Sequence, residues 1–250
     1  MIVGIIPARF ASPKLMGNPL ADICGKPLIR RTYENVIKSK LVDDVYIALD
    51  DERVLDVAEG FGARTKFTPK ELPSALDRSS YAARGIQADI YVIIYGDQPF
   101  IDPKMIDEVI EPLLFDKEVQ ITTLAKKIKK VEDLKSNSTV KIVFDYNNFA
   151  LYFSRGPIPH VNNARTNIAK INTGEMYKNL GFFAFRKKAI RDFYKLNRTD
   201  LELLENLEHL RFLENGYKIK IVTTERESFS VSTQKDLEQA RDMYNKMNKK

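Results

Sequence analysis

The residues best suited to chemistry are cationic side chains in a small-residue loop and a carboxylate that follows a short apolar strand. Residues 2–6 form an apolar run typical of buried parallel strands, and Pro7 ends it. The chain then reads Ala8-Arg9-Phe10-Ala11-Ser12-Pro13-Lys14-Leu15-Met16-Gly17. Ala8, Ala11, Ser12 and Gly17 let the backbone approach a ligand closely, and Arg9 and Lys14 can neutralise one. Such a loop suits phosphate. It is not a Walker loop, because no Gly-Lys-Ser/Thr closes it, and it lacks the glycine spacing of a dinucleotide fingerprint. Taken alone, these residues fit a phosphate cradle and an ordinary strand-to-loop turn equally well.

Gly96-Asp97-Gln98-Pro99 follows a second apolar run at residues 90–94. In open parallel sheets ligands bind beyond the carboxyl ends of the strands, so Asp97 points toward the site. A carboxylate facing the Arg9/Lys14 loop suits a Mg²⁺ ion that bridges phosphate oxygens. The competing reading is a capped turn. Two histidines and one cysteine leave few ligands for zinc, which favours a hard, oxygen-bound ion. Asp77-Arg78, Lys141, Arg155 and Glu208-His209-Leu210-Arg211 are further polar clusters, and each alone fits a solvated surface.

Strand-like runs at 2–6, 45–49, 90–94 and 121–124 alternate with segments of helical period, which predicts an α/β fold with a doubly wound parallel sheet. Pro27 opens a helix to about Lys40, and Asp50-Asp51 ends a strand and caps the helix after it. Residues 140–144 and 149–153 flank Asp145-Tyr146-Asn147-Asn148 and predict a β-hairpin. Residues 154–176 predict a long functional loop. Then follow a strand at 180–185, a helix at 201–214, a strand at 217–222 and a closing helix at 234–246. No linker splits the 250 residues, so a single domain is expected.

With 44% hydrophobic and 30% charged residues, the composition is that of a soluble globular protein, and no apolar run reaches the roughly 20 residues of a membrane span. The absence of a signal-peptide pattern and the lone Cys24 predict a cytoplasmic location. A net charge of +6 favours anionic partners. Nucleic acid is the weakest of these, because the aromatics fall in apolar strands instead of alternating with Arg and Lys on a sheet face.

Ile6-Pro-Ala-Arg-Phe-Ala-Ser12, Gly25-Lys-Pro-Leu28, Gly96-Asp97-Gln-Pro99, Ala150-Leu-Tyr-Phe-Ser-Arg155 with Ile158-Pro159, and Leu207-Glu-His-Leu-Arg211 occur in an order and spacing that resembles the CMP-KDO synthetases. These cytidylyltransferases activate 3-deoxy-manno-octulosonate (KDO). The resemblance extends through Val231-Ser-Thr-Gln-Lys-Asp-Leu237. It implies a Rossmann-like nucleotidyltransferase fold with a mixed sheet, a smaller dimerising and acceptor subdomain near residues 125–180, and a homodimer. The implied reaction is Mg²⁺-dependent transfer of CMP from CTP to a small anionic acceptor with release of pyrophosphate, in surface polysaccharide biosynthesis. By resemblance Arg9 and Lys14 hold the triphosphate, with Ala8, Ser12, Ser74, Arg78 and Gly96 around the nucleotide. Asp97 binds the metal, with Ser232 at the position of a second metal residue. Tyr95, Lys141, Arg155, Asn179, Phe183 and Glu208 belong to the acceptor side.

Several of these positions depart from the family pattern. Tyr95 replaces a Gln before Gly-Asp, Asn179 and Phe183 replace a His and a Tyr, and Ser232 replaces the Asp of Val-Asp-Thr. Ser74-Ala-Leu76 stands for Ser-Gly-Thr, Gly17-Asn-Pro-Leu20 for Gly-Lys-Pro-Leu, and Lys14 for an Arg. Each lost partner of a polyhydroxylated acceptor costs roughly 1–3 kcal/mol. The departures therefore keep two acceptors in view, KDO or a related ulosonate and a phosphonate or phosphorylated metabolite. A non-catalytic CTP-binding sensor is the reading from another class.

Overall fold

The structure is a computed structural model that describes residues 1–11, 15–160 and 176–247. In chain order its elements are β1 (Ile2–Ala8), β2 (Asp22–Ile23), β3 (Lys26–Pro27), α1 (Leu28–Val36), β4 (Asp44–Leu49), α2 (Glu52–Gly60), β5 (Arg64–Phe67), α3 (Ala75–Ala83), β6 (Ile90–Ile93) and α4 (Pro103–Phe115). They continue with β7 (Ile121–Lys127), α5 (Val131–Lys135), β8 (Lys141–Phe144), β9 (Ala150–Ser154), β10 (Tyr177–Arg186), α6 (Lys187–Phe193), α7 (Asp200–Glu205), α8 (Leu210–Glu214), β11 (Ile219–Thr223) and α9 (Gln234–Met247). The chain divides into one unit of Met1–Asp107 with Glu227–Lys250 and another of Glu108–Arg226. No helix among the described residues is long and apolar enough to cross a membrane.

In the first unit β6, β1, β4 and β5 lie side by side, all parallel. β1 is buried without alternation from Val3 onward, as a strand covered on both faces must be. Pro7 lies inside this strand instead of ending it. The pairing of β1 with β6 ends at Ile5, two residues before the proline, while its pairing with β4 runs on through Pro7 and Ala8. β2 and β3 form a hairpin whose two loop residues, Cys24 and Gly25, both have positive φ, the geometry of a primed turn. α9 closes the unit, with Leu237 and Ala240 packed on Ile23, Leu28 and Val231.

The second unit is a mixed sheet. β7 pairs parallel with β11 and antiparallel with β10, and the predicted β8–β9 hairpin joins the edge of β10. Its turn closes through Asn148 N to Asp145 O at 2.9 Å, with Asn148 in the left-handed region. The expected helix over 201–214 is two helices. Asn206 takes a left-handed conformation that ends α7, and a buried ion pair holds the halves together, with Arg211 donating to both Glu202 oxygens at 2.6 and 2.7 Å. The expected helix from Pro27 is also shorter and stops at Val36.

Candidate active site

A cleft of about 270 Å³ opens at the carboxyl ends of β1 and β6 in the first unit. Ala8 and Arg9 line it from the end of β1, Tyr95, Gly96 and Asp97 from the end of β6, and Asn18 and Ala75 from the remaining sides. Five residues nominated from sequence thus meet in one place. Ser12 and Lys14 lie outside the described residues.

The Arg9 loop is held by a residue that sequence reasoning assigned elsewhere. Asp51 alone is the N-cap of α2, accepting from Arg53 N at 3.1 Å, and Asp50 serves another purpose. Its Oδ1 accepts from Phe10 N at 3.2 Å and its Oδ2 from Arg78 at 2.8 Å. Gly17 N donates to Phe10 O at 2.9 Å, and the Arg53 guanidinium stacks 3.6 Å from the Phe10 ring centroid. Asp50 follows the strand 45–49 just as Asp97 follows 90–94, and that parallel was the signal available in the sequence.

Arg78 is buried in this ion pair, donates also to Thr68 Oγ1, and is absent from the cleft lining. Burial pulls its pKa down and the neighbouring Arg9 adds to this, while Asp50 opposes both. Ser74 is the N-cap of α3, accepting from Asp77 N at 3.0 Å. It thereby brings the N-terminal end of α3, with Ala75, to the cleft.

Gly96 is required by close approach. A Cβ there would stand 3.0 Å from the Pro7 carbonyl oxygen and 3.1 Å from Ile29 Cδ1. Thr32 Oγ1 donates to Gly96 O at 3.0 Å and Asn35 Nδ2 to Pro99 O at 2.9 Å, so α1 fixes the turn that presents Asp97.

Asp97 Oδ2 accepts from Ser230 Oγ at 2.5 Å and from Ser232 Oγ at 3.2 Å. Its Oδ1 is buried and has no hydrogen-bond partner. Burial raises the Asp97 pKa, partly opposed by the two serine hydroxyls. A buried carboxylate oxygen without a donor fits a hard cation, and Asp97 is the residue that would hold Mg²⁺. Asp236 does not supply a second carboxylate. It accepts from Ser232 N at 3.1 Å and Thr233 N at 2.8 Å, capping α9. Among the described residues no group of three or more His, Cys, Asp or Glu could hold a metal, so most of the ion's shell would come from phosphates and water.

The residues assigned to the acceptor side from the second unit are engaged internally. Lys141 is fully buried, and its Nζ donates to the carbonyls of Ser136 at 2.9 Å, Thr139 at 2.7 Å and Arg155. Desolvation lowers its pKa. The Arg155 guanidinium donates to the carbonyls of Glu205, Asn137 and Asn206. Asn179 Nδ2 donates to Thr123 Oγ1 at 2.8 Å and Leu124 O at 3.1 Å, and its Oδ1 accepts from Gly181 N at 3.0 Å. These bonds fold the bulge in β10 at Gly181, where φ is +84°. Phe183 is buried between Phe153, Phe185 and His209. Glu208 is half-buried between α7 and α8.

Sequence reasoning missed Glu205, which organises the Tyr152-Phe-Ser-Arg155 stretch. It accepts from Ser154 Oγ at 2.6 Å, Arg155 N at 2.8 Å and Tyr152 Oη at 3.4 Å. His209 has an unpartnered Nε2, and burial together with the charge of Arg155 lowers its pKa to about 3.

Parallel strands that end in an Arg-bearing loop and a buried carboxylate are an arrangement suited to a nucleotidyltransferase, and comparison with known proteins places the chain in that class. The cytidylyltransferase family model matches residues 3–221. The 3-deoxy-manno-octulosonate cytidylyltransferase of Geotalea uraniireducens (strain Rf4) is 41% identical over 241 residues, covering 95% of this chain and 96% of that protein. The protein of the same name from Chloroherpeton thalassium is 42% identical over 235 residues, covering 93% of each. A solved CMP:2-keto-3-deoxy-manno-octonic acid synthetase complexed with CTP superposes with a TM-score of 0.90 at 32% identity, covering 98% of this chain and 99% of that one. The chain belongs to the 3-deoxy-manno-octulosonate cytidylyltransferase (CMP-KDO synthetase) family.

Proposed function

We propose that the cleft binds CTP with Mg²⁺ and that the enzyme transfers CMP to 3-deoxy-manno-octulosonate, releasing pyrophosphate. The observation that carries this reading is the unpartnered Asp97 Oδ1 in a cleft that also presents Arg9. The relatives' names and the CTP complex of the solved relative support it. Arg9 neutralises phosphate oxygens, and the N-terminal end of α3 adds the partial positive charge of the helix dipole. Asp97 would hold the cation, its carboxylate kept in place by the hydroxyls of Ser230 and Ser232. Mg²⁺, when bound, supplies charge neutralisation on the phosphoryl oxygens. The acceptor oxygen bonds to the α-phosphorus as the bond to the departing diphosphate breaks, and the protein contributes positioning more than covalent chemistry. Family resemblance further supports a cytoplasmic homodimer, for which sedimentation of the purified protein is the check.

A second reading, a different anionic acceptor, is favoured by Asn179 and Phe183. The amide of Asn179 is committed to the β10 bulge, and the ring of Phe183 offers no hydroxyl. Both readings are tested by measuring pyrophosphate from protein, CTP and Mg²⁺ with KDO, other ulosonates, phosphonates and phosphorylated metabolites. Release with KDO at roughly 1 per second or faster supports the first reading and defeats the second. Stabilisation by CTP without pyrophosphate from any acceptor defeats both and leaves a CTP sensor. Addition of EDTA must abolish turnover.

A further inference from the structure

We propose that Asn18 is a second protein ligand to the cation held by Asp97, its amide oxygen serving where position 232 carries no carboxylate. The inference rests on the reading that the cleft takes a nucleoside triphosphate with a divalent cation. Among the described residues six buried side-chain polar atoms have no hydrogen-bond partner, and the two that belong to cleft-lining residues are Asn18 Oδ1 and Asp97 Oδ1. One residue ties them together. Asn18 Nδ2 donates to Val231 O at 3.0 Å, while Val231 N donates to Asp97 O at 2.8 Å.

The bond to Val231 fixes the orientation of the Asn18 amide, leaving its oxygen as the unused end. An unpaired buried acceptor is costly, so two in one cleft mark a ligand that satisfies acceptors. A single N–H or O–H of a nucleotide satisfies one such oxygen, whereas a hard cation takes both, and an amide oxygen is an ordinary ligand for Mg²⁺ or Ca²⁺. The Ser232 hydroxyl already donates to Asp97 Oδ2, so the arrangement gains its second hard oxygen from Asn18.

The test combines Mn²⁺ binding, read by EPR in the absence of nucleotide, with calorimetric CTP affinity in Mg²⁺ and in EDTA. Asn18→Ala should weaken Mn²⁺ binding about tenfold and lower CTP affinity in Mg²⁺ while leaving it unchanged in EDTA. Asn18→Asp, which keeps an oxygen but loses the bond to Val231, should hold Mn²⁺ at least as tightly as the natural protein. Adding Ser232→Asp to Asn18→Ala should restore Mn²⁺ binding. Equal loss of CTP affinity in Mg²⁺ and EDTA would assign Asn18 to the nucleotide and overturn the proposal. So would unchanged Mn²⁺ binding in Asn18→Ala, or loss of Mn²⁺ in Asn18→Asp equal to that in Asn18→Ala. If the natural protein binds Mn²⁺ through Asn18 but binds no CTP, the nucleotide reading fails and the cation ligand stands.

Discussion

Arg78 donates to Asp50 at 2.8 Å in an ion pair whose side chains are 2% and 5% exposed. The pair lies behind the Arg9 loop, because the same Asp50 carboxylate receives the Phe10 amide. Removing one member leaves the other charge buried and unpaired, which costs about 3–5 kcal/mol. Arg78→Ala should therefore lower the urea midpoint sharply. Unchanged stability with lost CTP binding would instead make Arg78 a direct nucleotide contact.

Gly96 tests the close approach of β1 to the Asp97 turn. Gly96→Ala places a methyl against the Pro7 carbonyl, which as backbone in a central strand cannot move aside. Overpacking of this kind costs about 1–3 kcal/mol. The thermal midpoint should fall and CTP affinity with it, and a variant equal to the natural protein in both would show that the turn has slack.

Asp97 has a pKa raised by burial above its ordinary value of 3.8. The folded state then holds the proton to higher pH than the unfolded state. This group's favourable contribution is complete below about pH 3.8 and is lost as pH rises through the raised folded value. In metal-free protein, the stability of the natural chain relative to Asp97→Asn should decline over that window and level off above it. Added Mn²⁺ should recover the loss. A pH-independent difference between the two proteins would contradict this.

His209 behaves in the opposite sense. Its pKa is lowered from 6.5 to about 3, so the unfolded chain takes up a proton that the folded one refuses. The stability is present above pH 6.5 and is lost toward pH 3, by up to about 1.4 kcal/mol for each pH unit. His209→Gln should flatten the acid limb of the stability curve. An unaltered acid limb would show that the imidazole titrates freely.

Glu205 should hold the Tyr152-Phe-Ser-Arg155 stretch in place. Glu205→Ala leaves the Ser154 hydroxyl and the Arg155 amide without their acceptor, at a cost of about 1–3 kcal/mol. Hydrogen exchange at Arg155 and Gly156 should quicken. Protection equal to that of the natural protein would show that another group takes over.

Much of the cleft was readable from the chain, because strand ends in a parallel sheet dictate where Arg9 and Asp97 must go. The roles of Asp50, Asn18 and Glu205 were not, since each depends on a partner far along the chain. Asp50 beside Asp51 looked like half of a helix cap, and only Arg78, 28 residues on, shows what its carboxylate holds. Asn18 meets Val231 across 213 residues. The break between α7 and α8 was hidden for another reason, because the apolar spacing of 201–214 continues through Asn206 while one left-handed residue turns the backbone.

The tie between Asp97 and Val231 has a temporal consequence. Residues from both ends of the sequence build the first unit, with the second encoded between them. On the ribosome, a nascent chain that has emerged only through Asp107 carries the carboxylate but neither of the serines that donate to it. The surroundings of Asp97 are thus finished only after synthesis passes residue 232, and a chain truncated before that point would be born with its Arg9 loop and without the hydroxyls that donate to the carboxylate.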